Sequence, residues 1–415
     1  MKIALFVDQF PKVSETFILN QIDGLLDRGH EITIFPCQPG TESKVHDAVK
    51  RHRLIEKCHY PRNEACTLQE KIAFYIGLIK LKLKYAEAVS RLRGNFGRYS
   101  GIANWQWALT KSEPVLRHGG RFDVLFAHFG PNGLRASWYR DAGLIDGPLV
   151  AVFHGFDLSS YLRIADEHVY DRLFSNGDLF LPISRFWQNK LQALGCPAEK
   201  LEVHHVGIDC DQFVFQSRTR TVDEPTVLIS VARLVEKKGI EYAIRALARP
   251  DVLNLNVHYR IIGDGPLSAS LRQLVTDMRL QDRVSFLGTK TSEEVASELS
   301  HAHLFIAPSV TSESGDMEGI PTVLMEAMAT GLPVISTLHS GIAELVDDGV
   351  SGKLVAERDV AGLAEAIREL TVNVDSWPVI GAAGREKVLR EFNSSTLNSR
   401  LEHLFESAVQ GRTSP

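Results

Sequence analysis

The chain has 415 residues, too many for one ordinary hydrophobic core, so two domains or more are expected. Its 44% hydrophobic and 23% charged residues describe a soluble globular protein, and 46 basic against 51 acidic residues give a net charge of −5, which excludes a global electrostatic footprint for nucleic acid. The five cysteines (Cys37, Cys58, Cys66, Cys196, Cys210) are scattered, odd in number and form no C-x-x-C pair, which points to reduced cytoplasmic thiols and away from a disulfide framework or a zinc site.

The opening run "KIALFV" reads as a strand. Its five apolar residues between Lys2 and Asp8 are too few for a signal-peptide core, and no later run approaches the length of a membrane span, so a cytoplasmic chain is expected. The next turn, "DQFPKVSETF", carries Ser14 and Glu15 where a dinucleotide-binding domain would hold its glycines; Ser14 there also suits a helix cap. "EITIFP", "FDVLFA", "LVAVFH" and "DLFLPI" follow as strands trailed by amphipathic stretches, the pattern of a parallel sheet covered by helices. The helical stretch "KIAFYIGLIKLKLKYAEAVSRLRG" interrupts this alternation, with Lys71, Lys80, Lys82, Lys84, Arg91 and Arg93 against Glu87 alone. Two readings fit it: a packed insertion with a solvated basic face, or a basic amphipathic helix on an anionic membrane. "VFHGFD" then sets His154 and Gly155 after a strand, a histidine that is either structural or catalytic.

The polar, proline-bounded segment from Thr221 to Pro225 is the linker candidate. After it the alternation restarts with "TVLISVARL", "VHYRIIGDG", "RVSFLG", "HLFIAP" and "PVIST". Residues 1–220 and 221–393 are therefore expected as two α/β domains, with a C-terminal helix over 394–412 packing back on the first. Two such domains would leave a ligand cleft between the carboxyl ends of their strands.

Three stretches of the second half combine charge with turns. "VARLVEKKGI" places Arg233 at a strand end and Lys238 beside Gly239, two cations that match a diphosphate or make an ordinary basic loop. "IIGDGPL" places Gly263, Asp264 and Gly265 after a strand, where glycine also serves simply to turn the chain. "MEGIPTVLMEAMATGLPV" holds Glu318 and Glu326 eight residues apart. Pro321 suits the first helical position, and Thr322 to Thr330 reads as a short apolar helix closed by Gly331. The two carboxylates flank the positive helix N-terminus, where an anion would bind, although Glu326 amid apolar neighbours also reads as a buried residue paired with a cation. The D-x-D of Asp209 and Asp211 lies just before the linker and reads as structural, so no metal site is expected.

Arg233 with Lys238, the G-D-G turn and E-G-I-P-x-x-x-x-E-A-M-A, all in one domain, resemble the retaining nucleotide-sugar glycosyltransferases of family 4. That family has the GT-B fold, two Rossmann-like doubly wound α/β domains facing across a cleft. The resemblance covers nearly the whole chain, strongest from about Pro182 to Leu370, and "FPKVSETFI" and "GDMEGIP" are similar to a subgroup that builds bacterial exopolysaccharides, of the colanic-acid type, and lipid-linked oligosaccharides. It implies that Glu326 holds the ribose hydroxyls and Glu318 the donor sugar. Amides near Thr322 and Val323, with Gly319 and Ile320 beside them, would hold the distal phosphate. Arg233 and Lys238 would neutralise the diphosphate, Gly263 and Gly265 would line the donor, and the segment with Lys290 would meet the base. His154 would face the sugar from the first domain, with Ser14, Glu15 and His128 on the acceptor side. Many members carry a Gly-Gly pair where this chain has "KVSE", a departure in the first turn.

The implied activity moves a hexose from a nucleotide sugar, UDP-hexose by family frequency, to a saccharide or lipid-linked saccharide, with retention and without metal or further cofactor. No convincing enzymic nucleophile stands out, so same-face attack is the expected course, a donor phosphate oxygen taking the acceptor proton. The expected location is the cytoplasm, with peripheral contact at the inner face of the plasma membrane through residues 71–94 as the second reading of the basic stretch. A sugar-nucleotide 2-epimerase, a phosphorylase and a non-catalytic sugar-nucleotide-binding module stay open as alternatives; a dehydrogenase is disfavoured because the turn after Val7 lacks G-x-G-x-x-G.

Overall fold

The computed structural model describes residues 1–12, 15–40, 46–62, 67–99, 101–102, 104–221 and 223–413; Ser14 and Cys66 lie outside the described residues. Backbone contacts divide the chain into two units, Met1–Ile183 with Trp187–His204 and Asn398–Pro415, and Ser184–Phe186 with His205–Leu397.

The first unit contains β1 (Lys2–Phe10), β2 (Glu31–Pro39), β3 (Gly120–Arg121), β4 (Val124–His128), β5 (Ile145–Asp146), β6 (Leu149–Phe153) and β7 (Leu179–Pro182). Five of these form a parallel sheet in the order β2-β1-β4-β6-β7, while β3 and β5 pair separately. Strands β4 and β6 are buried along their whole length, which is why "VLFAH" and "LVAVF" run apolar instead of alternating. Helix Thr16–Asp27 buries Ile18, Leu19, Ile22 and Leu25. The basic helical stretch forms two helices, Leu68–Lys84 and Ala86–Phe96, rather than one. The last helix, Ser394–Thr413, joins this unit's core through Phe405, whose ring meets Phe126 at 5.0 Å.

The second unit contains β8 (Thr226–Val231), β9 (Val257–Ile262), β10 (Val284–Gly288), β11 (Leu304–Ala307), β12 (Val334–Thr337) and β13 (Gly352–Val355), all parallel in the order β10-β9-β8-β11-β12-β13. Alternate strand residues enter two apolar clusters: Leu228, Tyr259, Ile261 and Ile306 in one, Ile229, Ile262, Phe305 and Val334 in the other. The sheet is thus buried on both faces, as a parallel sheet requires.

Each sheet reverses its strand order once, between β1 and β4 in the first unit and between β8 and β11 in the second. At such a reversal the connections leave the carboxyl ends in opposite directions and open a crevice. The residues that emerge there are those after Phe10 and His128, and those after Val231 and Ala307. Topology thus brings Glu15, Arg233, Lys238 and Glu318 past strands that flank the reversals, while His154, Gly263 and Lys290 follow the neighbouring strands β6, β9 and β10.

Candidate active site

In the second unit the chain leaves β8 and makes a short turn over Glu236–Lys238, ending at Gly239 with φ 63°. A Cβ on Gly239 would lie 1.8 Å from the carbonyl oxygen of Pro308, so only glycine lets this turn press against the loop that follows β11. That approach delivers Lys238 Nζ to Glu318 Oε2 at 2.7 Å, and Lys237 Nζ to Glu318 Oε1 at 3.3 Å and Asp316 Oδ2 at 3.0 Å. Burial alone would raise the Glu318 pKa, but Lys238 and Lys237 outweigh it and hold the carboxyl below its ordinary value. Burial likewise opposes the charge of Lys237, yet Glu318 and Asp316 raise its pKa. Arg233 is exposed, and its guanidinium has no hydrogen-bond or ion-pair partner among the described residues.

The backbone around Glu318 is clamped from the other side. Glu318 N donates to His339 Nε2 at 2.9 Å, and Ser340 Oγ donates to the carbonyls of Glu318 and Gly319 at 2.8 and 2.9 Å. Because Nε2 accepts, a neutral His339 carries its proton on Nδ1, which lies 2.6 Å from Glu357 Oε1. Glu357 also accepts from Thr311 N at 2.8 Å; burial would raise its pKa, but the Thr311 amide and His339 lower it.

The helix after this loop runs Thr322–Ala329. Pro321 is not its first residue, as the sequence rule expected: its φ of −64° is helical but its ψ of 123° is extended, so it stands just before the helix and its carbonyl accepts from Leu324 N at 3.1 Å. The amides of Thr322 and Val323 have no acceptor among the described residues, which leaves the positive helix end open. Leu324, Met325, Ala327 and Met328 are buried, whereas Glu326 is half-buried. Its carboxylate has no partner among the described residues, and burial pushes its pKa to about 7.

Gly263, with φ 123°, and Gly265 lay the turn after β9 against the backbone of Ala232 and Leu234; a Cβ on Gly263 would lie 1.9 Å from Ala232 O. Lys290 follows β10 and pairs with Glu298 at 3.2 Å. Ile320 is buried. Asp209 accepts from Asp211 N at 3.1 Å and Gln212 Nε2 at 2.9 Å, holding its own turn.

In the first unit, β4 and β6 pair with His128 opposite Val152, so His154, just past β6, lies next to His128. His128 Nδ1 and His154 Nε2 are 3.0 Å apart. Burial lowers the pKa of His154 to about 3; burial, with His154 and His204 nearby, keeps that of His128 well below 6.5. Both rings are neutral near pH 7, so their hydrogen bond couples the two tautomers. Beneath them the fully buried Asp157 accepts from His154 N at 3.0 Å, Gly155 N at 2.8 Å and Gly130 N at 2.9 Å; burial still raises its pKa to about 6. Glu15 pairs with Lys12 at 2.6 Å.

Sequence reasoning missed Lys237, His339, Ser340, Glu357 and Asp157. Two signals were there to use: "LHSG" is a polar turn directly after a buried strand, and Asp157 stands three residues past His154.

Residues 211–386 match the family model described as glycosyl transferases group 1, and residues 14–212 match glycosyltransferase family 4. The chain is 38% identical over 411 residues to WcaL of Salmonella typhimurium, assigned to colanic acid biosynthesis as a glycosyltransferase, covering 98% of this chain and 100% of that protein. It is 39% identical over 410 residues to the amylovoran biosynthesis glycosyltransferase AmsK of Erwinia amylovora, covering 98% and 99%. The crystal structure of Anabaena HepE in complex with UDP matches with a TM-score of 0.69 at 18% identity, covering 98% of this chain and 100% of that one.

Proposed function

Because the chain belongs to the glycosyltransferases of group 1 and family 4 and has the GT-B fold, we propose that it transfers a hexose from a nucleotide sugar, UDP-hexose, to a saccharide or lipid-linked saccharide in exopolysaccharide biosynthesis. The observation that carries this reading is the pairing of an open helix N-terminus at Thr322 and Val323 with two differently treated carboxylates, a doubly lysine-paired Glu318 and a Glu326 with no partner among the described residues. The biosynthetic roles of WcaL and AmsK support the acceptor class, and HepE has been crystallised with UDP-glucose, which supports the donor.

In this reading the amides of Thr322 and Val323 take the distal phosphate. Arg233 and Lys238 stabilise the negative charge that develops as the nucleoside diphosphate leaves, without a metal ion. Glu326 accepts from the ribose hydroxyls; the two hydrogen bonds favour its charged form and bring its pKa down from about 7. Glu318, oriented through its backbone by His339 and Ser340, meets hydroxyls of the sugar. His154 is neutral and serves the sugar end as a hydrogen-bonding group rather than as a proton carrier. Glu15 and His128 belong to the acceptor side. A phosphate oxygen of the donor takes the acceptor proton, and the configuration at the anomeric carbon is retained.

A thermal-shift panel of UDP, GDP, ADP and UDP-hexoses tests the donor. A ligand at about 100 times its Kd stabilises the folded state by roughly 2.7 kcal/mol, so UDP and UDP-hexose should raise the Tm clearly. No shift with any nucleotide contradicts the proposal, and release of a free epimerised sugar without acceptor would favour the epimerase.

A further inference from the structure

Helix Leu68–Lys84 has two apolar faces. Leu78 and Leu81 are buried and Phe74 is half-buried, which seats the helix on the first unit. At 100° per residue, Ile72, Tyr75, Ile76, Ile79 and Leu83 fall in one stripe on the opposite side. These five side chains are between 48% and 74% exposed. Tyr75 sits at the stripe's edge, where its hydroxyl accepts from Gln106 at 3.3 Å.

The charges around the stripe are arranged as well. Lys80 and Lys82, both exposed, project about 80° to either side of its axis, with Lys84 beyond Lys80. From Ile72 to Lys84 the sequence has no acidic residue. A solvated face would carry polar side chains where this one carries isoleucines and a leucine, and a core-facing one would be covered.

We infer that this stripe is a docking surface for a bilayer containing anionic lipids, with the helix lying in the plane of the interface. The apolar side chains would enter the boundary between headgroups and acyl chains, while the lysine stems lie along it and their ammonium groups reach lipid phosphates. A second copy of the chain fits less well. A two-fold contact would cover the isoleucines but bring Lys80 and Lys82 of both copies together with no acid on the stripe to offset them. The inference does not depend on the donor assignment; it places the first unit where a lipid-linked acceptor would be presented.

Vesicle flotation tests it with the intact protein, using phosphatidylcholine alone and phosphatidylcholine mixed with phosphatidylglycerol. Wild type should float with the mixed vesicles and much less with the neutral ones. The double substitution Ile76→Asp/Ile79→Asp should lower partitioning by at least about tenfold. Lys80→Gln/Lys82→Gln should lower it about fivefold per lysine on anionic vesicles only. All of these positions are exposed, so the variants should keep the wild-type Tm and nucleotide affinity. Wild type that fails to float with mixed vesicles, aspartate variants that float like wild type, or a dimer that the aspartates dissociate would each overturn the inference. Flotation that persists in a protein binding no nucleotide would sink the donor reading and leave this one standing.

Discussion

The backbone N–H of Glu318 is held by the ring of His339, 21 residues further along the chain, at 2.9 Å. The sheet explains the meeting. Strands β12 and β13 pair with Thr337 opposite Val355, so His339 and Glu357, each two residues past its strand, emerge side by side and the ring then reaches back to Glu318. Replacing the buried His339 by Leu keeps an apolar volume but orphans the Glu318 amide, a cost of about 1–3 kcal/mol. His339→Leu should therefore lose Tm and about tenfold in kcat, while UDP affinity, which the proposed reading assigns to Glu326, should stay near wild type. Unchanged kcat in the folded variant would remove His339 from the positioning of Glu318.

Arg233 is exposed and unpartnered among the described residues, so Arg233→Ala should change stability by no more than about 0.5 kcal/mol. If the guanidinium meets the diphosphate, the same change should cost about two decades in turnover. Steady-state assays beside a thermal melt separate the two quantities.

Asp157 is the acceptor for three backbone amides, those of His154 and Gly155 in the loop carrying His154 and that of Gly130 at the start of helix Gly130–Asp141. Asp157→Ala leaves these buried donors unmet, at roughly 1–3 kcal/mol each, and should unfold or severely destabilise the first unit. Asp157→Asn retains an acceptor oxygen and should lose less, as denaturant titration of the pair would show.

The buried histidines make stability depend on pH. His154 has a folded pKa of about 3 against an ordinary 6.5, so the unfolded chain takes the proton first as the pH falls. Its contribution is fully present above about pH 6.5 and is lost toward pH 3, at about 1.4 kcal/mol per pH unit. Asp157 and Glu326, raised to about 6 and about 7, act in the opposite sense, adding stability at low pH that is lost as the pH rises through those values. The difference between wild type and His154→Gln isolates the histidine: the unfolding free energy of wild type should fall more steeply, by about 1.4 kcal/mol per unit between roughly pH 6 and 4. Parallel curves would contradict a neutral buried His154.

Most strands were legible because parallel strands covered on both faces are continuous apolar runs, as in "LVAVF" and "TVLISV". Strand β13, "GKLV", is short and mixed, and β3 and β5 have two residues each, so no run announces them. The break at Tyr85 between the two basic helices has no glycine or proline to mark it. At the candidate site, residues adjacent in sequence to a recognisable turn, including Arg233, Lys238, Glu318 and Glu326, could be singled out from the sequence. His339, Glu357 and Asp157 could not, since their partners are set by strand register and loop closure rather than by spacing.

The central claim is that Glu326 and Glu318 serve different parts of one donor. A contact to ribose is made equally in ground and transition states, whereas a contact to the sugar is absent from the nucleoside diphosphate. Calorimetric titration of UDP into folded Glu318→Ala and Glu326→Ala measures this directly. Loss of hydrogen bonds to a carboxylate costs about 1.5–3 kcal/mol, so Glu326→Ala should bind UDP about one to two decades more weakly than wild type. Glu318→Ala should bind it as wild type does and lose transfer instead. Equal UDP affinities in the two variants would contradict the division of labour.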